Sequence, residues 1–480
     1  MHYDAVIIGA GMSGLAAGIR LAYFGKRVCI LEKHYAFGGL NSYYRLGGRN
    51  FDVGLHAVTN FVPPHRRNAP LNKLFRQLRI DREEFDLHPQ GFSEIRFPGK
   101  RLRFTNDIAD LTTEIAREFP QDADNFPALC REIEGFDDAA PDRPYPSARG
   151  ILGKSLRDPM LIEMLLCPIM FYGSAQERDM DWTSFVTLFR SLYLEGFARP
   201  PDGVRTIIRT LVKKFRACGG ALRMNCGVER LYVQGGRVTD VVLESGETVD
   251  TDIVLSSAGY IETMRLCDGM APPPSPGTTG QVRGAGSSIS SSVAAEEDMG
   301  RMTFVESIGV LDTTPAALGH DATIVFYNDA ETFTYEQPRE PADLRSGILC
   351  CPNNYAGHEG LPEGVARLTW MANHDQWALL PDDKYAAAKE AYRDSFIEQA
   401  SRFMPAFRDH LVFTDMFTPR TIRQYTGHVN GAVYGCPRKR RDGRTALSNL
   451  FIIGTDQGYL GIVGAMLSGV LMANSHVLDK

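Results

Sequence analysis

Residues 3–14 read Tyr3-Asp4-Ala5-Val6-Ile7-Ile8-Gly9-Ala10-Gly11-Met12-Ser13-Gly14. Six residues of strand feed a tight turn, and a helix begins inside that turn. Gly9 makes the turn, Gly11 lets a pyrophosphate approach the backbone, and Gly14 lets helix pack on strand. The free amides of the helix N-terminus, including Met12 and Ser13, face the phosphates. A second strand, Arg27 to Leu31, ends at Glu32 and Lys33. The acid stands about twenty residues after the glycines, the place of a ribose acceptor. Strand, three glycines, helix, strand and acid in that order predict a dinucleotide-binding unit.

Nicotinamide and flavin dinucleotides both fit such a unit, and the next stretches of chain favour the longer one. Gly38-Gly39-Leu40-Asn41 supplies a second glycine pair where a dinucleotide running inward would pass. Gly54-Leu55-His56 then brings backbone and a histidine toward the ring end. Near the C-terminus a buried strand ends in Gly454-Thr455-Asp456, and Gly461-Ile462-Val463 opens a helix. Asp456 is expected to accept from ribityl hydroxyls, and the helix N-terminus to aim its dipole at the reducible ring. Asp456 as a plain helix cap is the competing reading. Val228 is expected to touch the adenine through its backbone, with core packing as its alternative.

The rest of the chain divides around these motifs. With 480 residues, two interleaved domains are expected. The nucleotide domain takes 1–65, 201–265 and 421–480, and a substrate domain takes 66–200 and 266–420. A hairpin is predicted over Phe92–Phe104 around Pro98-Gly99, and a helix capped by Asn106 runs to Phe119. Residues 271–300, rich in Pro, Gly and Ser, read as a long surface loop. The charge-free stretch Gln457 to Leu478 could span a bilayer by length, but its glycines and polar residues favour a helix packed inside the protein. The basic run Arg438 to Arg441 reads as a solvated loop.

Composition excludes several classes. The net charge of −6 gives no electrostatic reason to expect nucleic acid. Nine cysteines without a CxxC pair argue against a disulfide framework or a zinc site, so no metal is expected and a cytoplasmic setting fits. Oligomeric state is left open.

The set Gly9/Gly11/Gly14, Glu32, Gly38-Gly39, Phe51-Asp52-x-Gly54, Val228 and Gly454-x-Asp456 resembles the phytoene-desaturase-like branch of the amine-oxidase flavoprotein superfamily. Tyr43-Tyr44 and Val433-Tyr434-Gly435 are similar to plant-type carotenoid isomerases, and Gly54-Leu55-His56 to retinol saturases. Leu40 stands where many desaturases carry arginine. The resemblance covers both ends of the chain and the Asp202 to Gly259 segment. It implies an α/β fold, a Rossmann-type FAD-binding domain of the GR2-like kind with an inserted α+β substrate domain. It further implies FAD, a long apolar isoprenoid or polyene substrate, and peripheral membrane contact. Desaturase, isomerase or saturase chemistry would proceed by hydride transfer at flavin N5, in a dry channel rather than through a catalytic triad. Met164, Leu165, Leu166, Ile169, Met170, Phe171, Tyr172, Trp182 and Phe185 are candidates to line that channel. His56, Tyr172 and His374 are candidates for proton transfer. An amine- or protoporphyrinogen-oxidase-type enzyme, and a flavin-binding scaffold without turnover, are the alternatives.

Overall fold

The structure, a computed structural model, describes residues 2–54, 56–137, 146–267 and 299–479. Leu55 and all but the last two residues of the predicted loop over 271–300 lie outside the described residues.

Two seven-stranded sheets organise the chain. In the first, His2–Ile8 lies between Val28–Leu31 and Thr248–Ser256, parallel to both. Ala221–Arg223 extends the parallel set on one side and Leu450–Ile452 on the other. An antiparallel pair, Val228–Gln234 and Arg237–Leu243, is attached to the first half of Thr248–Ser256. Ala5, Val6 and Ile7 are fully buried, because helices cover one face of the parallel strands and the antiparallel pair, with Tyr260, Ile261 and Met264, covers the other. Strands from the start, middle and end of the chain thus build one layer.

The second sheet runs in the order Leu411–Phe417, Thr303–Leu311, Gly364–Ala372, Ala342–Cys350, Ile324–Asn328, Ser93–Phe97, Lys100–Phe104. All nine residues of Thr303–Leu311 are buried. Helix Pro159–Gly173 contributes to the core on one face, and Phe396, Ile397 and Ala400 of helix Asp382–Phe403 to a separate core.

Several elements depart from the sequence expectations. Helix Pro70–Leu78, expected in the substrate domain, packs Leu71, Leu74, Phe75 and Leu78 into the core of the nucleotide sheet. Its apolar residues at i, i+3, i+4 and i+7 need a partner, and helices Met12–Tyr23 and Gly461–Ala473 supply it. The helix after the Ser93–Phe104 hairpin is capped by Asp107, whose carboxylate accepts from Ala109 N at 3.0 Å. Asn106 instead brackets Phe197, accepting from its N–H at 2.7 Å and donating to its carbonyl at 2.9 Å.

Gly461–Leu478 is long and apolar enough to cross a membrane by length and composition. It serves as a core helix here. Met466, Val470 and Ala473 are buried against the nucleotide sheet's other helices. A Cβ built on Gly469 would overlap the Ser13 carbonyl oxygen. That close approach explains why glycine interrupts an otherwise apolar run.

Candidate functional site

A cavity of about 400 Å³ opens between the two sheets. One part of its wall is bare backbone. Gly9, Gly11, Met12, Ser13, Gly38 and Gly39 all line it. Gly9 (φ 96°) and Gly38 (φ 113°) sit in the left-handed region, where a side chain would strain the turn. Gly38 N donates to Ala10 O at 2.9 Å, locking the second glycine turn onto the first. A Cβ built on Gly11 meets nothing within 4 Å, because it would project into the cavity. Gly14 shows the opposite. It does not line the cavity, and a Cβ there would overlap the Gly9 carbonyl oxygen. Gly54 also lines the wall, with a Cβ position 2.6 Å from Leu40 O. Three glycine-rich backbone segments around an open space fit a phosphate-bearing dinucleotide.

Glu32 sits on the same rim. Its Oε2 accepts from Ala10 N at 2.7 Å and its Oε1 from His34 N at 2.9 Å. Lys33, Leu40, Asn41 and Val228 line the cavity as well. Lys33 ends in an exposed pair with Glu244 at 2.7 Å.

The C-terminal contribution is partly different from expectation. Gly454, Gly461 and Ile462 reach the cavity wall, with Thr455 between them. Ser468 Oγ accepts from Gly454 N at 2.7 Å, tying the turn to the helix. Asp456 does not reach the wall. It is buried, accepting from Tyr260 N at 2.6 Å and Cys436 N at 2.7 Å. Its carboxylate braces two loops, and Thr455, not Asp456, lines the cavity. Val463 is a core residue, fully buried.

The basic run belongs to that brace and is not a solvated loop. Lys439 donates to Tyr434 O and lies 4.0 Å from Asp456 Oδ1. Burial lowers the Lys439 pKa, and Asp456 opposes the shift. The Arg440 guanidinium lies 4.0 Å from the Tyr260 ring centroid, and Arg441 pairs with Asp181 at 3.1 Å.

An apolar stretch of the wall is built from Phe171, Phe197, Ile324, Phe326, Ile348 and Leu460, while Ser257, Glu262, Thr426 and His428 add polar groups elsewhere. Of the predicted channel residues only Phe171 and Tyr172 line it; Met164, Leu165, Leu166, Ile169, Met170, Trp182 and Phe185 fill the adjacent core. Helix Pro159–Gly173 is surrounded by protein, and only its C-terminal end meets the cavity. Sequence reasoning misses Ile324, Phe326 and Ile348. The period-two spacing of Ile324 and Phe326 is the available signal, and Phe326 pairs with Ile348 across the sheet. The Tyr172 hydroxyl bonds Thr59 Oγ1 at 2.9 Å, and burial pushes its pKa up to about 12.

His56 lines the cavity with a side chain 19% exposed. Its Nε2 lies 3.1 Å from Thr369 Oγ1 and 3.3 Å from Glu306 Oε2. His374 does not line this cavity. It opens the short helix His374–Ala378, buried, with Nδ1 3.3 Å from Asp375. Burial alone would raise the Glu306 carboxyl, but Arg367 and His56 outweigh it and hold its pKa at about 2 against an ordinary 4.5. A carboxylate depressed in this way stabilises the fold above the unfolded value and loses that contribution as pH falls through the folded one. The thermal-stability advantage of the native protein over Glu306→Gln should therefore shrink as pH drops from 4.5 toward about 2. Melting curves across that window check it; a gap that stays constant would mean the carboxyl is not ionised in the fold.

Known proteins share this architecture. Residues 7–78 match the model of the NAD(P)-binding Rossmann-like domain. The chain is 26% identical to a phytoene desaturase (lycopene-forming) of Pseudescherichia vulneris, covering 99% of both. It is 24% identical to an all-trans-retinol 13,14-reductase of Danio rerio, over 99% of this chain and 86% of that one. It is 22% identical to the chloroplastic prolycopene isomerase of Arabidopsis thaliana, over 99% and 83%. Among solved structures, an oxidoreductase from Methanosarcina mazei superposes over 100% of both chains with a TM-score of 0.66 at 15% identity. Putrescine oxidase bound to putrescine does so with a TM-score of 0.61 at 15% identity. These similarities run the length of the chain, and they join a glycine-walled nucleotide cradle to a second sheet in one fold. Along nearly its whole length the chain is thus similar to phytoene desaturases, prolycopene isomerases and a retinol reductase.

Proposed function

We propose that this protein binds FAD non-covalently and uses it to add or remove hydrogen on a long apolar isoprenoid or polyene chain. One observation carries the reading: a single cavity joins a backbone cradle for phosphates to an apolar wall drawn from the second sheet and the segments beside it. Bound there, FAD would supply hydride transfer at its N5. The chain's residues do the rest. Gly9, Gly11, Gly38 and Gly39 give the pyrophosphate backbone amides without side-chain interference. Glu32 offers a carboxylate to the adenosine ribose, and Val228 lines the wall nearby. The N-terminus of Gly461–Ala473 faces the cavity and favours negative charge there. Phe171, Phe197, Ile324, Phe326 and Ile348 exclude water and hold a chain that offers no polar handle.

The three curated relatives act on polyenes or retinol by name, which supports the substrate class. The test is anaerobic: polyenes are added to the flavin-loaded protein, oxidised and reduced in separate runs. A change in the flavin's visible spectrum with a C40 or C20 polyene supports the reading. A change only with primary amines or a porphyrinogen would replace it with the amine-oxidase alternative.

A further inference from the structure

His56 lies on the cavity wall and is anchored through both its backbone and its ring. Its carbonyl oxygen accepts from the Tyr355 hydroxyl at 2.9 Å and from Arg199 Nη1 at 3.4 Å. Its ring is held from behind. Thr369 Oγ1 donates to Glu306 Oε2 at 3.0 Å, so its lone pair is left to accept from His56 Nε2–H at 3.1 Å. Glu306 Oε2 itself lies 3.3 Å from the same nitrogen. Arg367 fixes Glu306 through Nε at 2.5 Å and also donates to the carbonyls of Asp52 and Val53, at 3.0 and 3.2 Å. Asp52 in turn pairs with Arg199. Glu306, Arg367, Asp52 and Arg199 are the charged groups behind the ring, with Cys350 and Tyr355 beside its backbone. Nδ1 has no hydrogen-bond partner among the described residues.

A carboxylate behind one imidazole nitrogen fixes the tautomer and leaves the other nitrogen to exchange a proton. Nε2 of His320, His358 and His374 is also unpartnered, but none of those buried histidines lines the cavity. His56 leaves its second nitrogen without a partner among the described residues and does line the cavity.

We propose that His56 carries the proton of the reaction through Nδ1 and that Glu306, acting through Thr369 and Nε2, is its positioning residue. The proposal rests on the flavin reading above and adds the protein's half of the chemistry. Hydrogen addition across a C=C bond needs a hydride, which reduced flavin supplies with its electron pair, and a proton, which leaves imidazolium Nδ1 for the adjacent carbon. The double bond is reduced, the flavin oxidised, and His56 left neutral with Nε2–H. In the removal direction the same atoms run backward: the C–H electron pair forms the double bond, the proton returns to the Nδ1 lone pair, and oxidised flavin takes the hydride.

The experiment has two arms, each read on the whole chain. In flavin-free protein labelled with 15N-histidine, the His56 ring signals are assigned by their loss in His56→Ala. At a pH well above the ordinary histidine range, the native protein should show a protonated Nε2 and a bare Nδ1. Glu306→Gln and the milder Thr369→Val should both shift that ring toward mixed tautomers. Unmoved ring signals in both variants would overturn the positioning role. In flavin-loaded protein, His56→Ala should lower single-turnover reduction or oxidation of the polyene by about 10²–10⁴-fold with flavin occupancy unchanged. Glu306→Gln should cost less, and should cost almost nothing more once His56 is alanine. Equal losses from Glu306→Gln with and without His56, or full turnover in His56→Ala, would overturn the proposal. A native protein that takes up no flavin would sink the function itself, while the ring signals would still report on the His56–Glu306 unit.

Discussion

A Gly11→Val protein should fold, melt close to the native flavin-free protein, and come off the column without flavin. Gly11 has φ −73° and ψ 179°, extended backbone open to a β-branched residue. Nothing stands within 4 Å of the new Cβ. The isopropyl group therefore costs the empty fold little and occupies the space a pyrophosphate would fill. Loss of the phosphate–amide hydrogen bonds, charge-assisted and worth about 1.5–3 kcal/mol each, weakens the dinucleotide by about 100-fold or more once two are broken. Gly14→Val, three residues on, separates binding from folding. Its Cβ would overlap the Gly9 carbonyl under the helix, so that variant should fail to accumulate as folded protein. Flavin titration followed by fluorescence, with a thermal melt on the same sample, reads both. Normal affinity in Gly11→Val would place the phosphates somewhere else.

Arg367→Met should be the most destabilising single change among the charged groups behind the cavity wall. Arg367 and Glu306 are 2% and 3% exposed, and the guanidinium also holds the carbonyls of Asp52 and Val53. Removing it strands a buried carboxylate, which costs about 3–5 kcal/mol. Replacing both partners, as in Glu306→Leu with Arg367→Met, should recover most of that loss, because it is the unpaired charge that costs most. Denaturant midpoints of the two variants check the sign. A double variant no more stable than Arg367→Met would show that the backbone bonds to Asp52 and Val53, not the ion pair, set the stability there. Because those carbonyls precede Gly54 on the cavity wall, Arg367→Met should also weaken flavin retention.

The nucleotide unit is readable in the sequence because its signals are local. Gly9, Gly11 and Gly14 sit within six residues, and each has one steric job that no other residue can do. The Ser93–Phe104 hairpin is readable for the same reason, from turn chemistry and apolar spacing. What escapes is set by partners remote in sequence. His56 is visible as a candidate, but Glu306 and Thr369, some 250 and 313 residues further on, carry no motif that links them to it. Asp456 looks like a ligand because strand-Gly-x-Asp is a ligand's position. The buried amides of Tyr260 and Cys436 claim it instead. The apolar helix Pro159–Gly173 mimics a channel wall because burial by neighbouring helices and exposure to a hydrocarbon cavity ask for the same side chains. Composition cannot tell the two apart. The alternation of Ile324 and Phe326, short and weak, is the better clue.

If the glycine turns near both ends of the chain converge on one flavin dinucleotide, the purified or FAD-reconstituted protein must carry it in stoichiometric amount. Its flavin content is measured after release by acid and separation of FAD from FMN by chromatography. About one FAD per chain is expected, freed without proteolysis and retained through gel filtration. A folded protein that stays colourless after incubation with excess FAD, or that holds a nicotinamide nucleotide in its place, would contradict that convergence.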